Sequence, residues 1–263
     1  MYELTVTRVE RLTPSLVRVF FSGGPAEVYG GRSSSDSYMK LYFATNGEPV
    51  PFPLDLEDLR QTRGAEAVPT QRTYSLREFL ADSGEMAIDF VTHGDAGVAG
   101  PWAAQASPGD RLVATSPGGA YAPDPEADWH LFLGDESALP AIAAGIERLD
   151  AGARGTALIE VQDQTHELAL NAPAGVEVRW LHRGDAEAGT TTLLADAVAE
   201  LDWLPGVPHI FAHGEREAMK SLRPMVRERA IPRERLSLSG YWAYGRSEDR
   251  FQAEKREPIG KIL

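Results

Sequence analysis

Arg72-Thr73-Tyr74-Ser75 sets a cation, a planar aromatic and a hydroxyl within one strand end. A guanidinium can pair with a pyrophosphate through parallel hydrogen bonds. A phenol ring can lie along a flat ring system, and a serine hydroxyl can bond a ring nitrogen or a phosphate. Together the three suit a flavin nucleotide. Further on, Asp89-Phe90-Val91-Thr92-His93-Gly94 closes another apolar run, and Gly97-Val98-Ala99-Gly100-Pro101-Trp102-Ala103 supplies small residues before a helix. Backbone N–H groups at such a helix start can face a diphosphate, so Ala99 and Gly100 join Arg72, Tyr74 and Ser75 as candidate cofactor ligands. Asp89, Val91, His93 and Gly94 belong to the same set. His93 either touches the cofactor or caps a turn, and Trp102 is expected to pack the short helix onto its neighbours.

Such residues need strands to hold them. Residues 4–9, 16–21, 38–43, 72–79, 86–92 and 111–115 are β-branched or aromatic runs separated by Gly, Pro, Asn or Asp. Six short strands with a single helical stretch, 101–105, predict a small antiparallel β-barrel. Ser33-Ser34-Ser35 and 61–68 read as exposed loops. After Pro123-Asp124-Pro125 the pattern changes, which sets the expected domains at 1–123 and 124–263. Strands at 129–133, 157–161, 176–181, 209–211 and 235–238 are interspersed with helices at 138–149, 192–201 and 215–229. That alternation predicts a doubly wound parallel α/β domain.

Open parallel sheets bind ligands at the carboxyl ends of their strands. The rule directs attention to Gly134-Asp135-Glu136-Ser137, His182-Arg183-Gly184, Ala212-His213-Gly214-Glu215 and Gly240-Tyr241-Trp242. The chain has no G-x-G-x-x-G, so an ordinary dinucleotide loop is absent.

Taken in order, these motifs, with Pro108-Gly109-Asp110-Arg111, Pro117-Gly118-Gly119-Ala120-Tyr121 and Ser137-Ala138-Leu139-Pro140, resemble those of the siderophore-interacting protein family. That family is a branch of the ferredoxin-reductase-like flavoenzymes. The resemblance runs from the first strand to Arg256. It implies non-covalent FAD, electrons from NADH or NADPH or from a ferredoxin-like carrier, and reduction of iron(III) in a siderophore chelate. Asp135, Glu136, Ser137 and Ala138, together with Gly214 and Glu215, then become candidates for nicotinamide-nucleotide binding. Asp135 and Ser137 alternatively cap a helix. Arg183 is the candidate reader of a 2′-phosphate. Tyr241 or Trp242 either covers the flavin or ends the last strand as core. Lys40, Arg246, Lys255 and Arg256 are basic residues for the chelate, with Arg246 placed near the flavin by the resemblance. The chain departs from the family pattern at Gly100, often Ser, at His213, usually a small residue, and at Ala243-Tyr244, commonly basic. The last departure leaves room for a hydroxamate or citrate chelate.

Composition narrows the classes. With no cysteine, the 263-residue chain has no disulfide, thiolate nucleophile or Cys-ligated iron–sulfur cluster, and redox chemistry needs a bound cofactor. A net charge of -13 argues against nucleic acid. No run reaches the ~20 apolar residues of a membrane span, and the first residues lack a signal-peptide pattern, so a cytoplasmic location is expected. No metal-ligand spacing and no catalytic acid–base dyad is found. Strings for a nucleophile elbow, H-E-x-x-H or a P-loop are missing, which excludes common hydrolases. A flavin reductase serving a protein acceptor and a non-catalytic siderophore carrier are the competing expectations.

Overall fold

The structure, a computed structural model, describes the chain except residues 32, 33, 46 and 94–96. It divides into two compact units, Met1–Ala120 and Tyr121–Leu263.

The first unit contains β1 (Tyr2–Thr13), β2 (Leu16–Ser22), α1 (Ala26–Gly30), β3 (Tyr38–Phe43), α2 (Leu56–Arg63), β4 (Thr70–Leu80), β5 (Glu85–Val91), α3 (Ala99–Gln105) and β6 (Arg111–Ala114). The strands close an antiparallel barrel in the order β1-β2-β5-β4-β3-β6. Alternate residues of each strand point inward, and Leu4, Val19, Phe21, Met39, Leu41, Ile88 and Phe90 are buried there. Each such side chain contributes about 1.5–3 kcal/mol by leaving water. Trp102 closes the barrel: its ring stacks on Phe21 at 6.2 Å and meets Phe43 edge-on at 5.6 Å.

The second unit contains β7 (Trp129–Asp135), α4 (Leu139–Ile146), β8 (Arg154–Val161), β9 (Gly175–His182), α5 (Leu193–Ala199), β10 (Pro208–Glu215), α6 (Arg216–Ser221), α7 (Arg223–Glu228), β11 (Leu236–Trp242) and α8 (Glu248–Glu254). Its parallel sheet runs β11-β10-β7-β8-β9. The strand order reverses between β7 and β10, so their carboxyl ends form the switch point of the sheet. Tyr121 belongs here rather than to the barrel because its ring packs on His209 at 4.7 Å and Phe211 at 4.9 Å. The Pro-rich boundary signal therefore stands a few residues past the division.

Several elements differ from expectation. Residues 61–63 end a helix, α2, whose N-cap Asp55 accepts from the N–H groups of Glu57 and Asp58 at 3.0 Å. Ser35 is buried rather than exposed, and Ser33 lies outside the described residues. The helix expected over 215–229 is two helices, because Pro224 has no N–H to give the preceding turn. α8, capped by Ser247, has no counterpart in the expected elements.

Candidate functional site

In the barrel, the candidate ligands meet at one end of β4 and β5. The antiparallel register pairs Leu76 with Ile88, which carries Tyr74 to Phe90; their ring centroids are 4.4 Å apart. Pairing with β3 sets Arg72 opposite Leu41 and Tyr74 opposite Met39. Arg72 and Tyr74 therefore share one face of β4, while Ser75 takes the other with Tyr38 and Lys40. Arg72 is half-buried and donates from one terminal nitrogen to the Gln71 carbonyl at 2.8 Å. Gly100 lies against the end of β5. A Cβ there would stand 3.3 Å from the Val91 carbonyl oxygen, so the absence of a side chain lets α3 approach this strand end. Val91 and His93 complete the rim, His93 exposed. Gly94 lies outside the described residues.

Asp89 leaves this set. Register places it across from Arg18, whose Nε and terminal nitrogen donate to both carboxylate oxygens at 2.6 and 2.8 Å. The pair is a structural clamp between β2 and β5, and Asp89 is 3% exposed. Its acidic type before a glycine-rich loop resembles a ligand signal, and only the cross-strand register reveals the partner.

In the second unit, Asp135, Glu136, Ser137, Ala138, Gly214, Glu215 and Trp242 gather at the carboxyl ends of β7, β10 and β11. Asp135 accepts from Ser137 N–H at 2.9 Å, Ser137 Oγ at 2.5 Å, Glu215 N–H at 2.8 Å and Trp242 Nε1 at 2.9 Å. Burial raises its pKa, and these four hydrogen bonds oppose that rise. Gly214 is required beside it: φ is +156° and a Cβ would come 2.8 Å from an Asp135 oxygen. Glu215 caps α6, accepting from Ala218 N–H at 2.9 Å, and its other oxygen accepts from Tyr244 N–H at 3.0 Å. Gly189 fits beneath the indole, where a Cβ would approach Trp242 to 2.7 Å. Tyr241 meets His213 edge-on at 4.9 Å, and His213 stacks on Phe211 at 3.9 Å. Burial holds the His213 pKa down at about 3.

Sequence reasoning missed Glu160. It stands next to last in the buried run of β8, before Val161, and lines the same crevice as Gly134, Asp135, Thr191 and Glu215. Thr191 donates to it at 2.7 Å. Burial raises its pKa, and neighbouring Asp135 adds to the rise. An acid one residue before the end of the second strand of a doubly wound unit was the available signal.

The basic candidates are carried by different units. Lys40 is exposed on β3. Arg246 donates to Glu254 at 2.8 Å, and Glu254 also receives Arg216 at 2.5 Å and Arg250 at 3.0 Å. The three guanidinium groups, Arg216 foremost, hold the Glu254 pKa down at about 2. Lys255 sits 4.6 Å over the Phe251 ring, and burial lowers its pKa.

Comparison with known proteins decides the family. The family model described as siderophore-interacting FAD-binding domain matches residues 5–121, and the one described as siderophore-interacting protein matches 127–245. This chain belongs to the siderophore-interacting protein family. As a family member it is an FAD-binding oxidoreductase. It is 30% identical to the ferric vibriobactin reductase ViuB of Vibrio cholerae over 96% of this chain and 93% of that one. It is also 30% identical to an NADPH-dependent ferric-chelate reductase of Escherichia coli, covering 91% of this chain and 92% of the relative. A siderophore utilization protein from T. fusca superposes with TM-score 0.79 at 37% identity, covering 94% of both chains. The ferredoxin-reductase-like fold is shared with the cytochrome P450 reductase GcoB of Amycolatopsis, TM-score 0.67 at 16% identity over 92% of this chain and 69% of that one.

The barrel residues fit FAD on their own chemistry. A cation and an aromatic on one face, a hydroxyl on the next residue, and a glycine-backed helix start are brought to one barrel end. Among the described residues no helix is long and apolar enough to cross a membrane.

Proposed function

We propose that this family member is a cytoplasmic ferric-siderophore reductase that releases iron as Fe(II), with electrons supplied by NADH or NADPH. The observation that carries the reading is the convergence of Arg72, Tyr74, Val91 and Gly100 at one end of the barrel, in a chain whose relatives include two named ferric reductases.

In this reading Arg72 holds the diphosphate as a charge-assisted partner. Tyr74, fixed against Phe90, sets the plane of the ring system, and Ser75 supplies a hydrogen bond. Ala99 and Gly100 offer backbone N–H groups. FAD, when bound, supplies the exchange between a two-electron donor and a one-electron acceptor. Siderophore oxygens are hard ligands that hold Fe(III) far better than Fe(II), so reduction loosens the metal. No residue is needed as acid or base for that electron step. Ser137, Gly214 and Glu215 form the frame of the nucleotide crevice. Arg246 and Lys255 of the second unit are the proposed contacts for an anionic chelate. With Ala243 and Tyr244 where the family commonly carries basic residues, the reading favours a chelate of modest negative charge over a highly anionic catecholate. A ferredoxin-like protein is the alternative donor.

The test is anaerobic turnover with NADH or NADPH and a ferric hydroxamate, citrate or catecholate, with Fe(II) trapped by a colorimetric chelator. Chelate-dependent Fe(II) formation is expected. Oxidation of the nucleotide with no Fe(II) from any chelate contradicts the reading.

A further inference from the structure

The loop from β9 to α5, residues 183–192, reaches far beyond the two elements it joins. It leaves β9, an outer strand of the order β11-β10-β7-β8-β9, yet it touches the strands at the other edge. Thr191 Oγ donates to Glu160, near the end of β8, at 2.7 Å. Gly189 lies against Glu215, which ends β10, and against Trp242, which ends β11. Glu187 accepts a hydrogen bond from the phenol of Tyr244, two residues past β11. The loop therefore spans four strand spacings, roughly 19 Å, and passes over the end of β7 on its way. Its root is fixed: Arg183 donates its N–H to the Val161 carbonyl at 3.0 Å and a terminal nitrogen to Glu136 at 2.7 Å. Gly184 follows, with φ at +61° and open space where a Cβ would lie, which suits a hinge.

The ends of β7 and β10 are the switch point at which a doubly wound sheet takes its ligand, and this loop lies across them. Gly134, Asp135 and Glu160 line the crevice beneath, with Gly189 and Thr191 of the loop and Glu215 of β10. The closure is tight. A Cβ on Gly189 would come 2.8 Å from Glu215 Cγ and 2.7 Å from the Trp242 ring. An aromatic ring needs about 3.5 Å to each neighbour, so no nicotinamide passes between loop and strand ends in this state. The far side of the closure is held firmly: Trp242 Nε1 donates to Asp135 at 2.9 Å, Tyr244 N–H to Glu215 at 3.0 Å, and Arg246 N–H to the Ala243 carbonyl at 3.1 Å. The bond that reaches across to the loop is of another kind. It joins two exposed side chains, Tyr244 being 48% exposed. Water can replace either partner, so this bond parts without leaving a buried group unsatisfied.

We propose that residues 184–191 form a lid over the nucleotide crevice, latched shut by the Tyr244–Glu187 hydrogen bond, and that a nicotinamide nucleotide enters only when the latch parts. The proposal rests on the reading of the second unit as nicotinamide-binding. Tyr244 is a positioning residue: it acts on the lid through Glu187 and sets the fraction of time the crevice is open. A site open for part of the time shows an affinity reduced by that fraction. Weakening the latch therefore speeds and tightens nucleotide binding, whereas damage to the site would slow or weaken it. That difference in sign separates a latch from a merely structural contact.

Stopped-flow mixing of the FAD-loaded protein with NAD+ and with NADP+, followed by tryptophan fluorescence, tests this without turnover. For the wild-type chain the binding rate is expected to level off at high nucleotide, at the rate of lid opening. Tyr244→Phe keeps the ring and removes the latching hydroxyl; the plateau should rise about three- to tenfold, the worth of one hydrogen bond at a solvent-exposed site. Glu187→Ala should give the same gain, and the two changes together no more, because they remove one bond. Hydrogen exchange in residues 184–191 should quicken in Tyr244→Phe. A wild-type rate that climbs linearly with no plateau overturns the proposal, and that measurement needs no variant. An unchanged plateau, or slower or weaker binding, in a Tyr244→Phe protein that retains its FAD overturns it too. Binding of neither nucleotide also overturns it, together with the nicotinamide reading of this unit. Ferric reduction is then judged separately, by oxidation of chemically reduced protein with a ferric siderophore.

Discussion

Trp242 Nε1 donates to Asp135 Oδ2 at 2.9 Å, joining the end of the last sheet strand to the end of the first. Three further donors share that carboxylate. The indole is therefore part of the frame of the second unit, with Gly189 shaped to receive it.

Removing the carboxylate leaves those donors without their acceptor. Asp135→Ala is expected to destabilise the protein by about 2–4 kcal/mol, the combined cost of several partly buried unsatisfied groups. Asp135→Asn, which retains one good acceptor, should cost less. Chemical denaturation of both variants measures the difference, and equal losses would contradict the account of the carboxylate as a shared acceptor.

Arg72→Ala should weaken FAD retention. Loss of a charge-assisted contact costs about 1.5–3 kcal/mol, about ten- to a hundredfold in dissociation constant. Fluorescence titration of the apoprotein with FAD reads the effect. Arg72→Lys should recover only part of it, because an ammonium cannot make the paired contact of a guanidinium.

His213 and His130 give the fold a pH dependence of defined sign. Burial depresses their folded-state pKa values, to about 3 and about 4, whereas an unfolded histidine titrates near ~6.5. The unfolded chain therefore binds protons first as pH falls. Their contribution is complete above about pH 6.5 and is lost progressively down to about pH 3–4. His213→Asn cannot take up that proton. Its stability should fall less steeply than that of the wild-type chain between about pH 6.5 and 4, by denaturant midpoint at each pH. Parallel slopes would count against a neutral buried His213.

Glu254 gathers Arg216, Arg246 and Arg250 and so fastens α8 to the start of α6. Glu254→Gln should speed hydrogen exchange in residues 248–256 while leaving the barrel amides unchanged. Equal exchange in the two proteins would show that α8 is held by Phe251 packing alone.

Much of this was legible from the chain. The alternation of β-branched runs in the first half and the strand-helix pattern in the second specify the two units, because side-chain period follows from local geometry. The order of motifs around Arg72, Gly100 and Asp135 specifies the family. What escaped depends on partners distant in sequence. Asp89 reads as a ligand until the register sets it against Arg18, 71 residues away. Arg183 reads as a free cation until β7 brings Glu136 to it. Glu160 is an acid within an otherwise apolar run, and its partner Thr191 lies 31 residues away. α2 and α8 were hidden for a different reason: both are polar surface helices with little apolar periodicity, announced only by their caps, Asp55 and Ser247.

The central claim is that a flavin held at the Arg72–Tyr74 end of the barrel passes electrons to a ferric chelate. Anaerobic stopped-flow mixing of the photoreduced protein with ferric siderophores, followed at the flavin absorbance band, tests it most directly. The account predicts reoxidation that accelerates with chelate concentration and yields two Fe(II) per flavin, flavin being a two-electron carrier. Flavin that stays reduced in the presence of every chelate would contradict it.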